Sequence, residues 1–179
     1  ARPRQRSTDC SELRSHVPLG FFGPETIVHN SCACVPGAGL FELGVLSSSM
    51  HMAWLRHVGG RIKSDLRYSN RLVYNTFPWP GGSEAAREPV SISARRLLSV
   101  RAELLAVGEA SLAILYEPGA MPSPLCEAHA ALDRAVDGLY GPGGFEDERA
   151  RIEHLFVLYA RGEAGQEAVE RQPAARQGR

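Results

Sequence analysis

Residues 45–80 read "VLSSSMHMAWLRHVGGRIKSDLRYSNRLVYNTFPWP" and change hydrophobic period part-way along. From 45 to 58 the apolar residues recur at helical spacing, and Gly59-Gly60 predicts the end of that helix. From 61 to 68 apolar and charged residues alternate, which is typical of a half-buried strand and predicts Ile62, Leu66 and Tyr68 on its inward face. Ser69-Asn70 predicts a turn and "RLVYNTF" a second strand, so this stretch predicts a helix followed by a β-hairpin.

The flanking segments favour the same mixed class. Residues 17–41 are short apolar runs between Gly and Pro residues, which predicts short strands joined by turns. Later residues have helical periodicity, including a helix capped at Ser123, with Pro124 at its first position and Gly141 past its end. We therefore expect an α+β chain with a small mixed β-sheet, a central helix and a helical C-terminal unit.

The 179 residues suit one domain with a small addition. Composition predicts an extended or disordered N-terminal segment, a sheet-containing domain, a Gly/Ser/Glu linker, a helical domain ending near Gly162, and a disordered tail. The expected ranges are 1–15, 16–80, 81–88, 89–162 and 163–179.

Charge is uneven although the net charge is zero. Residues 47–80 contain five basic residues and a single acid, whereas residues 81–179 contain 11 arginines and 15 acids. A basic middle beside an acidic end indicates a local anion-binding surface. Random variation of the surface is an equally good interpretation of this pattern taken alone.

Several classes of protein are disfavoured by missing motifs. The sequence has no G-x-x-x-x-G-K, no G-x-G-x-x-G, no G-x-S-x-G and no Pro-Pro pair. The four cysteines form no C-x-x-C pair, and His51 and His57 are six positions apart, so we expect free thiols that are buried or half-buried, and no metal site. No apolar run approaches a membrane span. We expect no catalytic residue, no cofactor in this segment, no membrane partner, and a cytoplasmic location.

The segment "RIKSDLRY" places Arg61, Lys63, Asp65 and Arg67 at alternate positions. On one strand face such side chains project about 6.5–7 Å apart and can converge on one target. Lys donates and Asp accepts, which matches the acceptors of guanine and the amino donor of cytosine. Lys63 is also the only lysine among twenty basic residues. The alternative interpretation is a solvated strand face with weak ion pairs.

Other notable side chains have mostly structural interpretations. His51 is expected to be packed or hydrogen-bonded rather than catalytic, and Tyr68 to support the hairpin from behind. Arg56 and Arg71 are expected either to contact phosphates or to be simply solvated. The large apolar groups are interpreted as core: Met50, Trp54, Phe77 and Trp79.

Three stretches strongly resemble the C-terminal region of the MmeI-like (Type IIL) restriction–modification enzymes: "PLGFFGPETIVHNS", "FELGVLSSSMHMAWLRHVGGRIKSDLRYSNRLVYNTFPWP" and "LYEPGAMPSPLCEAHAALDRAVDGLYG…DERARIEHLFVLY". The resemblance covers roughly residues 16–160. It implies the latter half of a DNA target recognition domain at 16–80, followed by a small helical C-terminal domain. Such proteins also carry a nuclease and an adenine-N6 methyltransferase that uses S-adenosylmethionine.

The resemblance also implies site residues and partners. The family's base-reading pair matches Lys63 and Asp65, and further base contacts match Arg67 and the Asn30–Ser31 stretch. From its residue type, and not from the resemblance, Arg61 is expected to contribute to phosphate binding, with Arg56 and Arg71 as further candidates. The implied partners are double-stranded DNA and an upstream methyltransferase domain of the same protein, with S-adenosylmethionine bound in that parent.

The resemblance and the charged row together imply a module that recognises a specific double-stranded DNA sequence through base edges in the major groove. The module would serve a DNA adenine-N6 methyltransferase or restriction–modification enzyme and would itself have no catalytic activity. Two alternatives stay open. One is a protein–protein scaffold whose helical end docks a partner, and the other is a non-functional remnant of such an enzyme. Salt dependence separates DNA recognition from the scaffold, because DNA contacts release counterions and DNA affinity therefore falls steeply with added salt. A remnant would show no affinity for duplex DNA.

Overall fold

A computed structural model describes residues 16–29, 32–62, 65–107, 111–117 and 119–162. Across these residues the α+β class and the helical C-terminal unit are confirmed, and the sheet consists of two antiparallel strands. The elements, in chain order, are α1 (Leu40–Leu46), α2 (Ser49–Val58), β1 (Gly60–Ile62), β2 (Asp65–Arg67), a π-helical turn (Asn70–Tyr74), α3 (Glu84–Val107), α4 (Leu112–Leu115), α5 (Ser123–Tyr140) and α6 (Glu148–Ala160).

The short strands predicted over 17–41 are wrong for the described part of that stretch. Residues 16–29 and 32–39 form turns and extended chain without strand pairing, and α1 begins at Leu40. A strand needs a neighbour for its backbone groups, and the described residues supply none here. Gly39 precedes α1 instead, and its N–H donates to the Glu42 carboxylate at 2.7 Å, which fixes the helix start.

Consecutive serines divide the predicted helix over 45–58 into two. Ser47 ends α1, and Ser48 is the N-cap of α2, so Val45 and Leu46 belong to the earlier helix. The Ser48 hydroxyl donates to the Val45 carbonyl at 2.7 Å and accepts from the His51 N–H. Serine side chains that bond locally to the backbone favour caps over helix interiors. The predicted end is confirmed, because Gly59 is the C-cap of α2.

The hairpin lies one segment earlier than predicted. β1 and β2 are both drawn from the stretch expected to form a single strand, and each has three residues. "RLVYNTF" is not the second strand: Ser69 caps a π-helical turn over Asn70–Tyr74, with its hydroxyl accepting from the Leu72 N–H. The turn buries Val73 in the core.

The helical unit follows the prediction except at two boundaries. α3 begins at Glu84, inside the expected linker, because Ser83 accepts the Ala86 N–H and good helix formers follow. Pro122 is the N-cap of α5, so Ser123 is its first helical residue rather than its cap. Gly141 past α5 is confirmed. The tail predicted over 163–179 and the segment 1–15 lie outside the described residues.

One hydrophobic core joins the residues on both sides of the expected linker. α1 packs against α3 and α5, while α2 packs against α5 and α6. A Cβ added at Gly44 of α1 would lie 2.7 Å from a Val90 methyl and 3.3 Å from Ala94 and Leu132 side-chain carbons. Gly44 therefore sets how closely the three helices approach. Fully buried members include Val45, Met50, Trp54, Phe77, Leu97, Leu125, Leu132 and Leu155.

Polar contacts tie α2 to the helical unit at both ends. Ser49, the first residue of α2, donates its N–H and its hydroxyl to the Asp133 carboxylate at 2.7 and 2.6 Å. The carboxylate also suits the positive end of the helix dipole. Near the other end, Arg56 forms an ion pair with Glu148 of α6. These contacts fix α2 in position along its length.

Two imidazoles, one half-buried and one buried, hold the start of the described chain against α5. The His16 and His129 rings lie 3.8 Å apart between centroids, and His129 Nε2 is hydrogen-bonded to the Tyr116 hydroxyl at 2.9 Å. Arg101 donates to the Leu19 carbonyl at 2.8 Å. Burial, helped by Arg56, lowers the pKa of His16 to about 4. Burial, helped by His16 and Arg101, lowers the pKa of His129 to about 2.

The structure bears on the expected state of the cysteines and on the expected absence of a membrane span. Cys32 and Cys34 are free, as predicted, but both are exposed and not buried or half-buried. Cys126 is disulfide-bonded, so the expectation of a free thiol is wrong at that position. Among the described residues, none of the helices combines the length and the apolar character needed to cross a bilayer.

Gly44→Ala should lower the free energy of unfolding by about 1–3 kcal/mol, because its methyl would overpack the contact with Val90. Gly138→Ala is the matched control, since a Cβ there meets no atom within 4 Å on the exposed side of α5. That control should be neutral or stabilising by about 0.5–1 kcal/mol. Urea unfolding measures both, and equal effects at the two sites would contradict the packing argument.

Stability should fall as the pH drops below about 6.5. The unfolded chain binds protons on its histidines from that pH downward, whereas half-buried His16 and buried His51 and His129 stay neutral in the folded chain. Each such histidine costs about 1.4 kcal/mol per pH unit until its folded pKa is reached. Urea midpoints at pH 7.5, 6 and 5 test this, and His129→Gln should flatten the slope. A constant midpoint would contradict it.

Candidate nucleic-acid interface

The register of the hairpin decides which side chains share a face. Gly60 pairs with Arg67, Arg61 with Leu66, and Ile62 with Asp65. Directly opposed residues of an antiparallel pair project to the same side, and neighbours along a strand alternate. Arg61 therefore shares a face with Leu66, while Arg67 lies on the other face.

This register corrects the expected row of four charges on one strand face. A single continuous strand would have placed Arg61 and Arg67 on the same face. The chain instead reverses between Ile62 and Asp65, and because an even number of residues joins the strands, Arg67 lies on the opposite face from Arg61. Both arginines are exposed. The inward direction predicted for Leu66 and Tyr68 is confirmed, because both are half-buried and pack against the core. The same prediction for Ile62 is wrong, because the register puts Ile62 opposite Asp65 and so on the other face of the ribbon from Leu66.

A cavity of about 500 Å³ opens where the hairpin, the π-helical turn and the preceding loop meet. Arg67 comes to it from the end of β2, and Arg71 from the turn. Cys32 and Ala33, the residues directly after Asn30–Ser31, form another part of its wall. The structure thus brings two predicted arginines together with the neighbourhood of the predicted loop. The lining is Cys32, Ala33, Gly60, Arg67, Tyr68, Ser69, Asn70, Arg71 and Leu72.

The lining carries positive charge and hydrogen-bonding groups. Arg67 and Arg71 supply two guanidinium groups, and none of the lining residues just named is acidic. Ser69 and Asn70 add a hydroxyl and an amide. Guanidinium groups bind phosphates and guanine edges in forked geometry, so this surface suits an anionic ligand with planar acceptors.

The sequence did not single out Ser69, Asn70 and Leu72 as site residues. They reach the cavity because the chain forms a π-helical turn there, closed by the Asn75 N–H donating to the Asn70 carbonyl at 2.9 Å. The available signal was Ser69 itself, since Ser before a short apolar run is a typical N-cap. This signal was missed because Ser69-Asn70 was interpreted as the turn of a hairpin.

Arg56 occupies a different environment from the other predicted arginines. It is half-buried and paired with Glu148 of α6, whereas Arg61, Arg67 and Arg71 are exposed. Because the Glu148 carboxylate offsets the charge of its guanidinium group, Arg56 attracts a phosphate less strongly than an exposed arginine does. Its contact joins α2 to α6.

Three predicted site residues, Asn30, Ser31 and Lys63, lie outside the described residues. For Asp65 the structure describes the backbone pairing with Ile62 alone. The described residues contain no group of three or more His, Cys, Asp or Glu side chains arranged to hold a metal ion.

Buried aromatic and polar groups support the cavity from below. His51 of α2 is hydrogen-bonded to the Tyr68 hydroxyl at 3.1 Å, and its ring lies edge-on to Phe77 at 4.6 Å. Trp54 donates from Nε1 to Thr76 Oγ1 at 3.3 Å. Met50, Trp54 and Phe77 are buried as predicted, and Trp79 packs against the same core.

The chain is similar to known proteins in sequence and in structure. The family model described as "MmeI, target recognition domain" matches residues 6–81, and that described as "MmeI, C-terminal domain" matches residues 82–165. DNA methyltransferase A of Bacillus subtilis (strain 168) is 39% identical over 149 residues, which are 83% of this chain and 16% of that protein.

The solved structure of the Type IIL restriction-modification enzyme MmeI in complex with DNA is also similar. It has a TM-score of 0.65 and 45% sequence identity, and the match covers 70% of this chain and 16% of that one. The chain therefore spans about 16% of the length of either relative. By these matches, the chain belongs to the MmeI family and carries that family's target recognition and C-terminal domains.

Proposed function

We propose that this chain recognises a specific double-stranded DNA sequence on behalf of a DNA adenine-N6 methyltransferase or restriction–modification enzyme. The observation that carries the proposal is the convergence of Arg67, Arg71 and the chain next to Asn30–Ser31 on one cavity. Membership of the MmeI family supports it, as does the similarity to a structure of MmeI in complex with DNA.

The shape of the surface supports a groove-binding role. A two-stranded antiparallel ribbon fits the major groove of B-DNA, which is about 12 Å wide. β1 and β2 form such a ribbon, and Arg61 and Arg67 are exposed on its two faces. We assign Arg67 to a base edge and Arg61 to phosphate, because the two faces of an inserted ribbon meet different parts of the groove. Arg71, in the adjoining turn, is assigned to phosphate.

Lys63 and Asp65 are proposed to read one base pair, with Lys63 on guanine and Asp65 accepting from cytosine N4. This assignment rests on residue type and on the resemblance at these positions. The chain passes through Lys63 and Ser64 between the two strands. Both residues of the pair therefore belong to the hairpin that we propose enters the groove.

Asn30 and Ser31 are proposed to contact neighbouring bases. Asn pairs with adenine through its N6 and N7 atoms, and the residues that follow, Cys32 and Ala33, line the same cavity as Arg67. Arg56 is left out of the proposed contacts, because Glu148 occupies its guanidinium group.

Catalysis is proposed to reside elsewhere in a longer parent protein. The sequence contains no Pro-Pro pair and no G-x-G-x-x-G, so its residues do not fit an S-adenosylmethionine site of the amino-methylating kind. The relatives are about six times longer than the region that this chain matches. We propose that the chain directs an upstream methyltransferase domain that binds S-adenosylmethionine.

A protein–protein scaffold is the second candidate. α6 exposes Phe156, Val157 and Tyr159 by 45–48%, an apolar group of the kind that protein partners cover. A scaffold would not require exposed arginines beside the hairpin. Duplex affinity and its salt dependence separate the two functions. A non-functional remnant would fail to bind duplex DNA at every salt concentration.

Arg71→Ala should weaken binding to all duplexes about equally, because a phosphate contact carries no sequence information. The slope of log K against log salt should fall in magnitude by about 1. Fluorescence anisotropy of a randomised 20-base-pair duplex pool between 50 and 200 mM salt measures both effects. Arg95→Ala, which removes an exposed arginine on α3, is the control and should change neither. An unchanged slope in Arg71→Ala would contradict the phosphate role.

Lys63→Ala should reduce discrimination at one base pair by about 1–3 kcal/mol and leave discrimination at other positions unchanged. Selection from a randomised duplex pool, followed by affinities for single-base variants of the selected site, measures it. Arg61→Ala is the matched control, expected to weaken every duplex without changing the preferred sequence. Equal weakening of all duplexes by Lys63→Ala would refute the base-reading role.

A further inference from the structure

A buried histidine holds the end of the hairpin from inside the protein. His51 lies on α2 with only 2% of its surface exposed, and its Nε2 atom is 3.1 Å from the Tyr68 hydroxyl. Tyr68 directly follows Arg67, the last residue of β2. The hydrogen bond therefore ends one residue away from an exposed arginine of the cavity.

The contact stays neutral over the physiological pH range. Burial lowers the pKa of His51 to about 3. Burial, with a smaller contribution from Tyr74, raises the pKa of Tyr68 above its ordinary value. Neither partner changes charge between pH 5 and 9, so the bond is a fixed tether rather than a switch.

The hairpin needs such a tether because it is small. Each strand has three residues, and two-stranded hairpins are marginal in water without further packing. Leu66 and Tyr68 supply the packing on the inner side. The Tyr68 hydroxyl adds a directional bond, and direction is what packing of apolar groups alone does not specify.

The helix that carries His51 is itself held by contacts to two other helices. α2 is held to α5 through Ser49 and Asp133 and to α6 through Arg56 and Glu148. The Phe77 ring packs edge-on against His51 at 4.6 Å, which fixes the imidazole plane. His51 thus transmits the position of the helical unit to the hairpin.

We propose that His51 is a positioning residue: through the Tyr68 hydroxyl it fixes the direction of β2, and with it the aim of Arg67 at its base edge. The second half of this proposal rests on the proposed function. The first half, ordering of the hairpin, stands on the contacts of the folded chain alone.

Tyr68→Phe tests the proposal with least disturbance, because it removes the hydroxyl and keeps the packed ring. Tyr116→Phe is the matched control: Tyr116 makes the same kind of bond, hydroxyl to His129 Nε2 at 2.9 Å, away from the hairpin. Both variants lose a hydroxyl–imidazole hydrogen bond, and Tyr116→Phe also removes the interaction of that hydroxyl with Arg101, so a general loss of stability should be at least as large in the control. His51→Leu and His51→Gln form a second pair, in which Gln retains a side-chain hydrogen-bonding group.

The first measurement is amide hydrogen exchange of β1 and β2 in the unliganded 179-residue chain. Loss of one hydrogen bond should speed exchange there about two- to tenfold in Tyr68→Phe and His51→Leu. Exchange in α5 should not change, and Tyr116→Phe should leave the hairpin unaffected. His51→Gln should restore most of the protection. Unchanged hairpin exchange in Tyr68→Phe, or equal acceleration in Tyr116→Phe, would overturn the positioning role.

The second measurement is base preference, using sites selected from a randomised duplex pool by the unsubstituted chain. His51→Leu, which changes no residue of the cavity lining, should lower discrimination about two- to tenfold at the base pair whose preference Arg67→Ala abolishes, with affinity for unselected duplex nearly unchanged. Faster hairpin exchange with unchanged discrimination would overturn the link to readout. An unsubstituted chain without any preferred sequence would overturn the proposed function and, with it, the assigned aim of Arg67, while the exchange data would still decide the tether.

Discussion

Burial of α2 is the constraint on which the rest of the structure depends. Its residues Met50 and Trp54 are buried in the common core, and Ser49 donates two hydrogen bonds to the Asp133 carboxylate. A short helix of ten residues is not stable in isolation. Its stability comes from α5 and α6 on one side and from the hairpin and π-helical turn on the other. Those two elements in turn have α2 as their support.

This arrangement makes the two matched family domains one packing unit at their junction. The boundary between the matches, at residues 81 and 82, is a covalent connection, whereas the core runs through both. Gly44 on one side lies against Val90 and Leu132 on the other. A recognition surface gains precision when rigid elements support it, and here the support comes from the helices that follow in sequence. Under the proposed function, the helical unit would influence DNA readout through this packing, without contacting the DNA.

At the candidate site, the alternation of apolar and charged residues predicted some features correctly and others incorrectly. Alternation in "RIKSDLRY" predicted extended chain with Leu66 and Tyr68 inward, and that is correct. It also predicted that Arg61 and Arg67 share a face, and that is wrong, because the chain reverses within the stretch. Alternation records the distance between residues along a strand but not whether the strand turns back. A one-residue difference in register moves a side chain to the other face.

The sequence alone determined the α+β class, the helix ends at Gly59 and Gly141, the core aromatic residues, and membership of the family, because these depend on local propensity, on hydrophobic spacing and on long specific motifs. Only the tertiary structure decided the break between α1 and α2, the π-helical turn, and the meeting of Arg67, Arg71 and Cys32 at one cavity. The physical reason is that each of these depends on partners distant in sequence. Ser49 needs Asp133 and Arg56 needs Glu148, and no local pattern encodes such pairings.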